Sequence, residues 1–232
     1  MWSGPRNIST AMMRAFENRD DCAVIDEPFY AHYLAKTGVD HPGIEEVVAS
    51  QPTDWREVVA HLLGPIPGNK PIWYQKHMTH HLLPEIDREW MRHFVHCFLI
   101  RHPAEVLSSY AKTRPTVTLE DLGFTQQTEI YDDLGGDALV IDSRDVVENP
   151  RAILGRLCAE LGIPFSEKML SWPAGPRDTD GVWARHWYQN VWSSTGFQAP
   201  SRRQPEYPRS LQPIVDAALP AYERLHATRL TG

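Results

Sequence analysis

The stretch Phe94-Val-His-Cys-Phe-Leu-Ile100, followed at once by Arg101-His102-Pro103, decides how the rest of the chain is read. The run is apolar at nearly every position, the pattern of a strand covered on both faces rather than one. Pro103 has a backbone torsion preset for the first turn of a helix, where its missing N–H is not needed. The pattern therefore predicts a helix over Pro103 to Lys112. A buried strand turning straight into a helix is half of a β-α-β unit, so it also predicts a parallel sheet.

The same alternation recurs on both sides of this stretch. Cys22 to Ile25, Pro71 to Lys76 and Ala138 to Asp142 read as further strands. Ser9 to Asn18 reads as a helix that buries Met12, Met13 and Phe16. Trp55 to Leu63 reads as another behind Thr53 or Asp54, and Pro150 to Leu161 is bounded by Asn149 and Gly162. A last helix spans Leu211 to Leu225, with Pro213 and Pro220 interrupting it. The fold class is α/β with a mainly parallel sheet, and ligands in such sheets sit at the carboxyl ends of the strands. Residues 1–232 are expected to form a single domain, with 171–232 an irregular and helical C-terminal cover. Within it, Ser171 to Tyr207 is rich in Trp, Arg, Pro and Gly and has little periodicity.

Composition narrows the function. The chain has 232 residues, 42% hydrophobic and 23% charged, with a net charge of -7. That is an ordinary composition for a globular fold and argues against a nucleic-acid partner, which requires broad basic patches. An anionic ligand would have to be held by a few local groups against the field of the whole molecule. Cys22, Cys97 and Cys158 have neither disulfide nor zinc spacing and read as buried free thiols in a reducing compartment. No apolar run is long enough to span a bilayer and no leader is visible, so the expectation is a cytoplasmic protein without a membrane partner. The sequence carries no signal for oligomeric state.

Two constellations point to an anion. Trp2-Ser-Gly-Pro-Arg-Asn-Ile-Ser-Thr-Ala11 is a small-residue loop ahead of a helix. The first amides of a helix lack internal partners and sit at the positive end of its dipole, so a phosphate or sulfate there accepts them. Arg6 adds charge, and the hydroxyls of Ser9 and Thr10 add donors or cap the helix. The loop is not a Walker A sequence, because no lysine precedes Ser9. The second constellation is Arg101 at the end of the strongest strand, with Ser109 eight residues on in the following helix. Taken singly, a capped helix explains the first as well, and an arginine–carboxylate pair beside a packed serine explains the second.

Taken together, the two resemble the sulfotransferases that use 3′-phosphoadenosine 5′-phosphosulfate. In that family a loop like Pro5-Arg-Asn-Ile-Ser-Thr10 binds the 5′-phosphosulfate, and a run like Arg101-His-Pro…Ser109 binds the 3′-phosphate. Arg6 stands where many members carry lysine. Asp26-Glu-Pro-Phe-Tyr30, Tyr74-Gln-Lys-His-Met-Thr-His-His81, Val140 to Pro150 and Leu161 to Pro164 resemble further family segments, so the likeness extends from about Trp2 to Trp172. It implies a three-layer P-loop-type fold with about five strands flanked by helices. It also implies an enzyme that moves a sulfuryl group from this donor to a hydroxyl or amine of a small-molecule acceptor, with no metal. The donor site would be Arg6, Asn7, Ile8, Ser9, Thr10, Ala11, Arg101 and Ser109.

For the chemistry the resemblance points to Glu27, Lys76 and His77. Glu27, after a short strand, is the first choice to take the acceptor's proton. Its competing reading is an ion pair with Arg6 or Arg14. Lys76 would reach the sulfuryl group. His77, His80 and His81 are rival bases, since imidazole titrates near neutrality. Their spacing also permits a metal site, but no Glu or Cys completes a known ligand pattern. Trp183, Arg185, Trp187, Tyr188, Arg202 and Arg203 offer rings for an adenine and cations for a phosphate, or plain packing. Two other classes stay open: a P-loop phosphotransferase with a degenerate loop, and a non-catalytic nucleotide-binding module.

Overall fold

The structure is a computed structural model and describes residues 1–112, 116–199 and 204–232. Arg202 and Arg203 lie outside the described residues.

Five strands form an all-parallel sheet: β1 (Trp2–Ser3), β2 (Cys22–Asp26), β3 (Ile72–Met78), β4 (Cys97–Ile100) and β5 (Leu139–Asp142), in the order β2-β3-β1-β4-β5. The expected α/β class and strand number are observed. β4 is shorter than the apolar run suggested. Its pairing with β5 begins at Cys97, opposite Leu139, and Val95 is 71% exposed ahead of it. β3 runs on through His77 and Met78 because these residues pair with Trp2 and Ser3.

Helices cover both faces. On one, α1 (Ser9–Glu17) and α9 (Pro150–Glu160) bury Met12, Met13, Phe16, Ile153, Leu154 and Leu157 against Leu99 and Ile141. On the other, α4 (Trp55–Leu62), α5 (Pro103–Tyr110), α7 (Phe124–Asp133) and α12 (Gln212–His226) pack on Trp2, Phe98, Ile100 and Val140. Alternate β4 residues thus feed opposite layers, which is why the run is apolar throughout. The cap residues work as read. Asn149 accepts from the Ala152 amide, Asp54 accepts from the Arg56 amide, and Gly162 adopts φ 67° after α9.

α12 corrects one expectation. Pro213 sits in its first turn, and Pro220 lies inside the helix without ending it. Pro220 is exposed, so its forfeited hydrogen bond faces water, while Val215, Ala218, Tyr222 and Leu225 anchor the buried face.

A third apolar cluster joins α2 (Tyr30–Thr37) and α3 (Ile44–Ser50) to α10 (Ala184–Trp187) and Tyr188 through Tyr30, Leu34, Val47 and Trp183. It ties the segment 183–188 to the α2–α3 pair. A second tie is Arg14, buried in α1, which donates to Glu17 and to Asp180 at 2.5 Å; Asp180 also accepts from Trp192 Nε1 at 2.9 Å. Arg14 is thereby engaged away from Glu27, against the competing reading of that carboxylate as its ion-pair partner.

Candidate active site

The carboxyl ends of β1, β2, β3 and β4 open onto two cavities, of about 260 and 540 Å³, that share Ile8, Arg101 and Ser109 in their walls. The loop between β1 and α1 forms the floor of the smaller. Arg6 (φ 63°) and Ile8 (φ 57°) are both left-handed, a conformation rare for a β-branched residue and of the kind that turns successive amides toward one point. Ile8 is also the N-cap of α1, and no side chain caps the helix. Ser9 and Thr10 line the cavity instead, and the first turn of the helix there has no capping side chain. Asn7 ties the loop to the sheet by donating to the Leu99 carbonyl at 3.2 Å.

The two anion constellations meet. Arg6 Nε donates to Ser109 Oγ at 3.0 Å, and Arg101 Nη1 donates to the Arg6 carbonyl at 2.7 Å. Burial, with Arg101 beside it, lowers the Arg6 pKa. Arg101 Nε is held by Glu105 at 3.0 Å, and Glu105 also pairs with Arg144 at the rim of the larger cavity. Among the described residues that line the smaller cavity, Glu27 is the one carboxylate against Arg6, Lys76 and Arg101, so the place favours a negatively charged guest.

Glu27 and Lys76 form the opposite wall. The β2–β3 register sets Asp26 beside Lys76, and Glu27, at φ 41°, folds back so that both carboxylates reach one ammonium. Lys76 Nζ lies 2.7 Å from Asp26 Oδ1, 2.5 Å from Glu27 Oε1 and 2.9 Å from the Tyr188 hydroxyl. Burial opposes the Lys76 charge, but the two carboxylates outweigh it and hold the pKa well above that of an ordinary lysine. One ammonium cannot neutralise two carboxylates, however. Burial and the neighbouring Asp26 leave Glu27 above the usual glutamate value despite Lys76.

The histidines divide. Successive strand residues face opposite ways, so His77 points away from Lys76 and does not line either of these cavities. Its ring stacks on Trp2 at 4.4 Å in the core, and burial pushes its pKa well below the ordinary histidine value. The expectation that His77 joins the site is corrected on this ground. His80 and His81 do line the cavity. His81 lies between Tyr30 and Tyr33, with Nδ1 3.9 Å from Glu27 Oε2, and burial lowers its pKa well below normal; His80 is lowered to about 4 by the same cause. Ala11, in the first turn of α1, is not in the cavity wall.

Sequence reasoning missed how Asp26 and Tyr188 work. Beyond its ring, Tyr188 brings a hydroxyl that donates to Asp26 Oδ2 at 2.6 Å and accepts from Trp183 Nε1 at 3.2 Å. The signal available was a carboxylate at a strand end beside a lysine at the neighbouring strand's end, but only the register makes them adjacent. Arg185 pairs on the surface with Glu46. Among the described residues, no helix is long and apolar enough to cross a membrane, and no cluster of three or more His, Cys, Asp or Glu could hold a metal ion.

A family model described as a sulfotransferase domain matches residues 1–229. In Arabidopsis thaliana, branched-chain-amino-acid aminotransferase-like proteins 2 and 1 are 37% and 38% identical to the chain over 227 and 229 residues. Each alignment covers 97% of this chain but only 40% or 41% of the relative, so the chain spans about two fifths of the length of the curated relatives it matches. Among solved structures, the sulfotransferase domain of the Synechococcus PCC 7002 olefin synthase aligns with TM-score 0.63 at 18% identity, over 96% of this chain and 92% of that one. The sulfotransferase domain from the curacin biosynthetic pathway aligns with TM-score 0.60 at 15% identity, over 100% and 97%. These two likenesses are of fold.

Proposed function

We propose, from the premise that this chain belongs to the sulfotransferase domain family, that it transfers a sulfuryl group from 3′-phosphoadenosine 5′-phosphosulfate to a hydroxyl or amine of a small acceptor. The observation that carries the reading is the junction of Arg6, Arg101 and Ser109 between two connected cavities, with Glu27 and Lys76 across the smaller one. A donor with phosphate at both ends fits such a divided site. The uncapped α1 amides, Arg6, Ser9 and Thr10 would hold the phosphosulfate end, and Arg101 with Ser109 the 3′-phosphate. The donor supplies the activated sulfur. Glu27, with its raised pKa, takes the acceptor's proton; the cations stabilise charge on the departing phosphate; and the loop fixes geometry. In this reading residues 171–232 act as the cover of a single domain.

The test is thermal stabilisation by adenosine 3′,5′-bisphosphate without magnesium, followed by a panel of phenols, alcohols, sugars and amines with labelled donor. No shift at saturating nucleotide sinks the donor assignment. ATP with magnesium displacing the bisphosphate would favour the phosphotransferase reading, and donor binding without any sulfated product would favour the binding module.

A further inference from the structure

A lysine ammonium has three N–H bonds. At Lys76 all three are committed, to Asp26, Glu27 and Tyr188. None remains for a sulfuryl oxygen, although Lys76 lines the cavity where one would arrive.

The three partners are not equivalent. Asp26 sits behind the cavity wall, and its second oxygen is taken by Tyr188. Tyr188 is fixed in turn by Trp183 and by its seat in the cover. Glu27 alone of the two carboxylates faces the cavity, and its second oxygen stands 3.9 Å from His81 Nδ1, beyond direct bonding range. Only the Glu27 bond therefore has a partner whose charge changes when an acceptor loses its proton.

Resting on the sulfotransferase reading, we propose that Asp26 and Tyr188 are positioning residues that hold two of the Lys76 N–H bonds throughout, and that the third passes from Glu27 to the transferring group as Glu27 is protonated. In that step the acceptor oxygen or nitrogen bonds to sulfur and its proton moves to Glu27. The bond between sulfur and the bridging oxygen breaks, leaving its electron pair on the phosphate. A neutral carboxylic acid holds an ammonium far less strongly than a carboxylate, so one N–H is released toward the oxygens that are gaining charge. Electrophilic help is withheld until an acceptor able to give up a proton is in place.

Inorganic sulfate is the probe, titrated calorimetrically into protein saturated with adenosine 3′,5′-bisphosphate. Glu27→Gln removes the charge as protonation does and is expected to tighten sulfate about tenfold, the scale of one charge-assisted hydrogen bond. Loss of a repelling carboxylate alone would also tighten it, so the comparison is a double-mutant cycle. The second arm is Lys76→Met made together with Asp26→Asn, which leaves no buried Asp26 charge unpaired. There the gain from Glu27→Gln is expected to fall below about twofold. Equal gains in both backgrounds, or no gain in either, overturn the proposal. Should those variants not fold, the unaltered protein serves. Its sulfate affinity must rise as pH falls through the Glu27 midpoint, followed by the ¹³C resonance of that carboxyl, and a flat profile overturns the proposal. A parent protein that takes up no bisphosphate overturns the donor reading and this proposal with it. One that binds it but shows no Lys76-dependent gain overturns this proposal alone.

Discussion

Replacing Tyr188 by phenylalanine removes one oxygen and leaves the ring in place. That oxygen donates to Asp26 at 2.6 Å and accepts from Lys76 at 2.9 Å and from Trp183 at 3.2 Å. Asp26, Lys76, Trp183 and Tyr188 are all buried, so water has little access to the groups left behind. A hydrogen bond to a charged group is worth about 1.5–3 kcal/mol and a neutral one about 1 kcal/mol. Three bonds sum to about 4–7 kcal/mol, and relaxation of the Lys76 ammonium toward the two carboxylates reduces this to about 3 kcal/mol. For a chain of this size the melting temperature should fall by about 6–12 °C. Two other tyrosines calibrate the measurement. Among the described residues the Tyr222 hydroxyl makes one bond, to Asp142 at 2.9 Å, and its loss should cost about 1.5 kcal/mol. Tyr207 bonds Gln212 at the surface and should cost less than about 0.5 kcal/mol. Urea denaturation of the three Tyr→Phe variants tests the order. A Tyr188→Phe protein within 1 kcal/mol of its parent, or less affected than Tyr222→Phe, refutes the reasoning that the network is tightly coupled.

Three further outcomes follow from the geometry. Arg101→Ala should weaken adenosine 3′,5′-bisphosphate about 10- to 100-fold and Ser109→Ala about fivefold, by calorimetry; unchanged affinity in both would remove the second phosphate site. His80 is neutral in the folded chain down to about pH 4, and His77 and His81 are also depressed, whereas unfolded imidazoles protonate near 6.5. The unfolded chain therefore binds more protons between about pH 6.5 and 4, and stability should fall with acidification by about 1.4 kcal/mol per pH unit for each such imidazole. Urea midpoints should be level from pH 7.5 to about 6.5 and then fall with that slope to pH 5, less steeply in His81→Asn, and a pH-independent midpoint would contradict it. Pro220→Ala should raise stability by about 1–2 kcal/mol, because it restores a helix hydrogen bond at an exposed position; no gain would mean that the helix has already adapted to the ring.

The α/β class was legible because the Phe94 to Ile100 run feeds two apolar layers, and because Asn149, Gly162 and Pro103 act locally as caps and first-turn residues. The loop and the Arg101…Ser109 run were readable as candidates because each lies within a short stretch of chain, whereas the bond from Arg6 to Ser109 that joins them belongs to the fold. The opposite wall was less so. Lys76 and His77 are adjacent in sequence, yet the strand's two-residue period sends one to the cavity and the other to Trp2. Asp26 becomes meaningful only through the β2–β3 register, and Tyr188 only through the packing of a segment whose sequence has no period to read. Burial also decided the histidines, since a residue type suited to neutral-pH chemistry loses that property when enclosed between aromatic rings.

Tyr188 is separated from Asp26 by 162 residues, the longest span among the contacts of Lys76 and its two carboxylates. Closing so large a loop has an entropic cost that other structure must offset first, and contacts of this kind form slowly. A chain emerging from the ribosome has made the donor loop, both carboxylates and Lys76 long before it makes the hydroxyl that holds the lysine still. Assembly order thus completes the working geometry only once residue 188 has been made, well after the strands that carry the lysine and its two carboxylates.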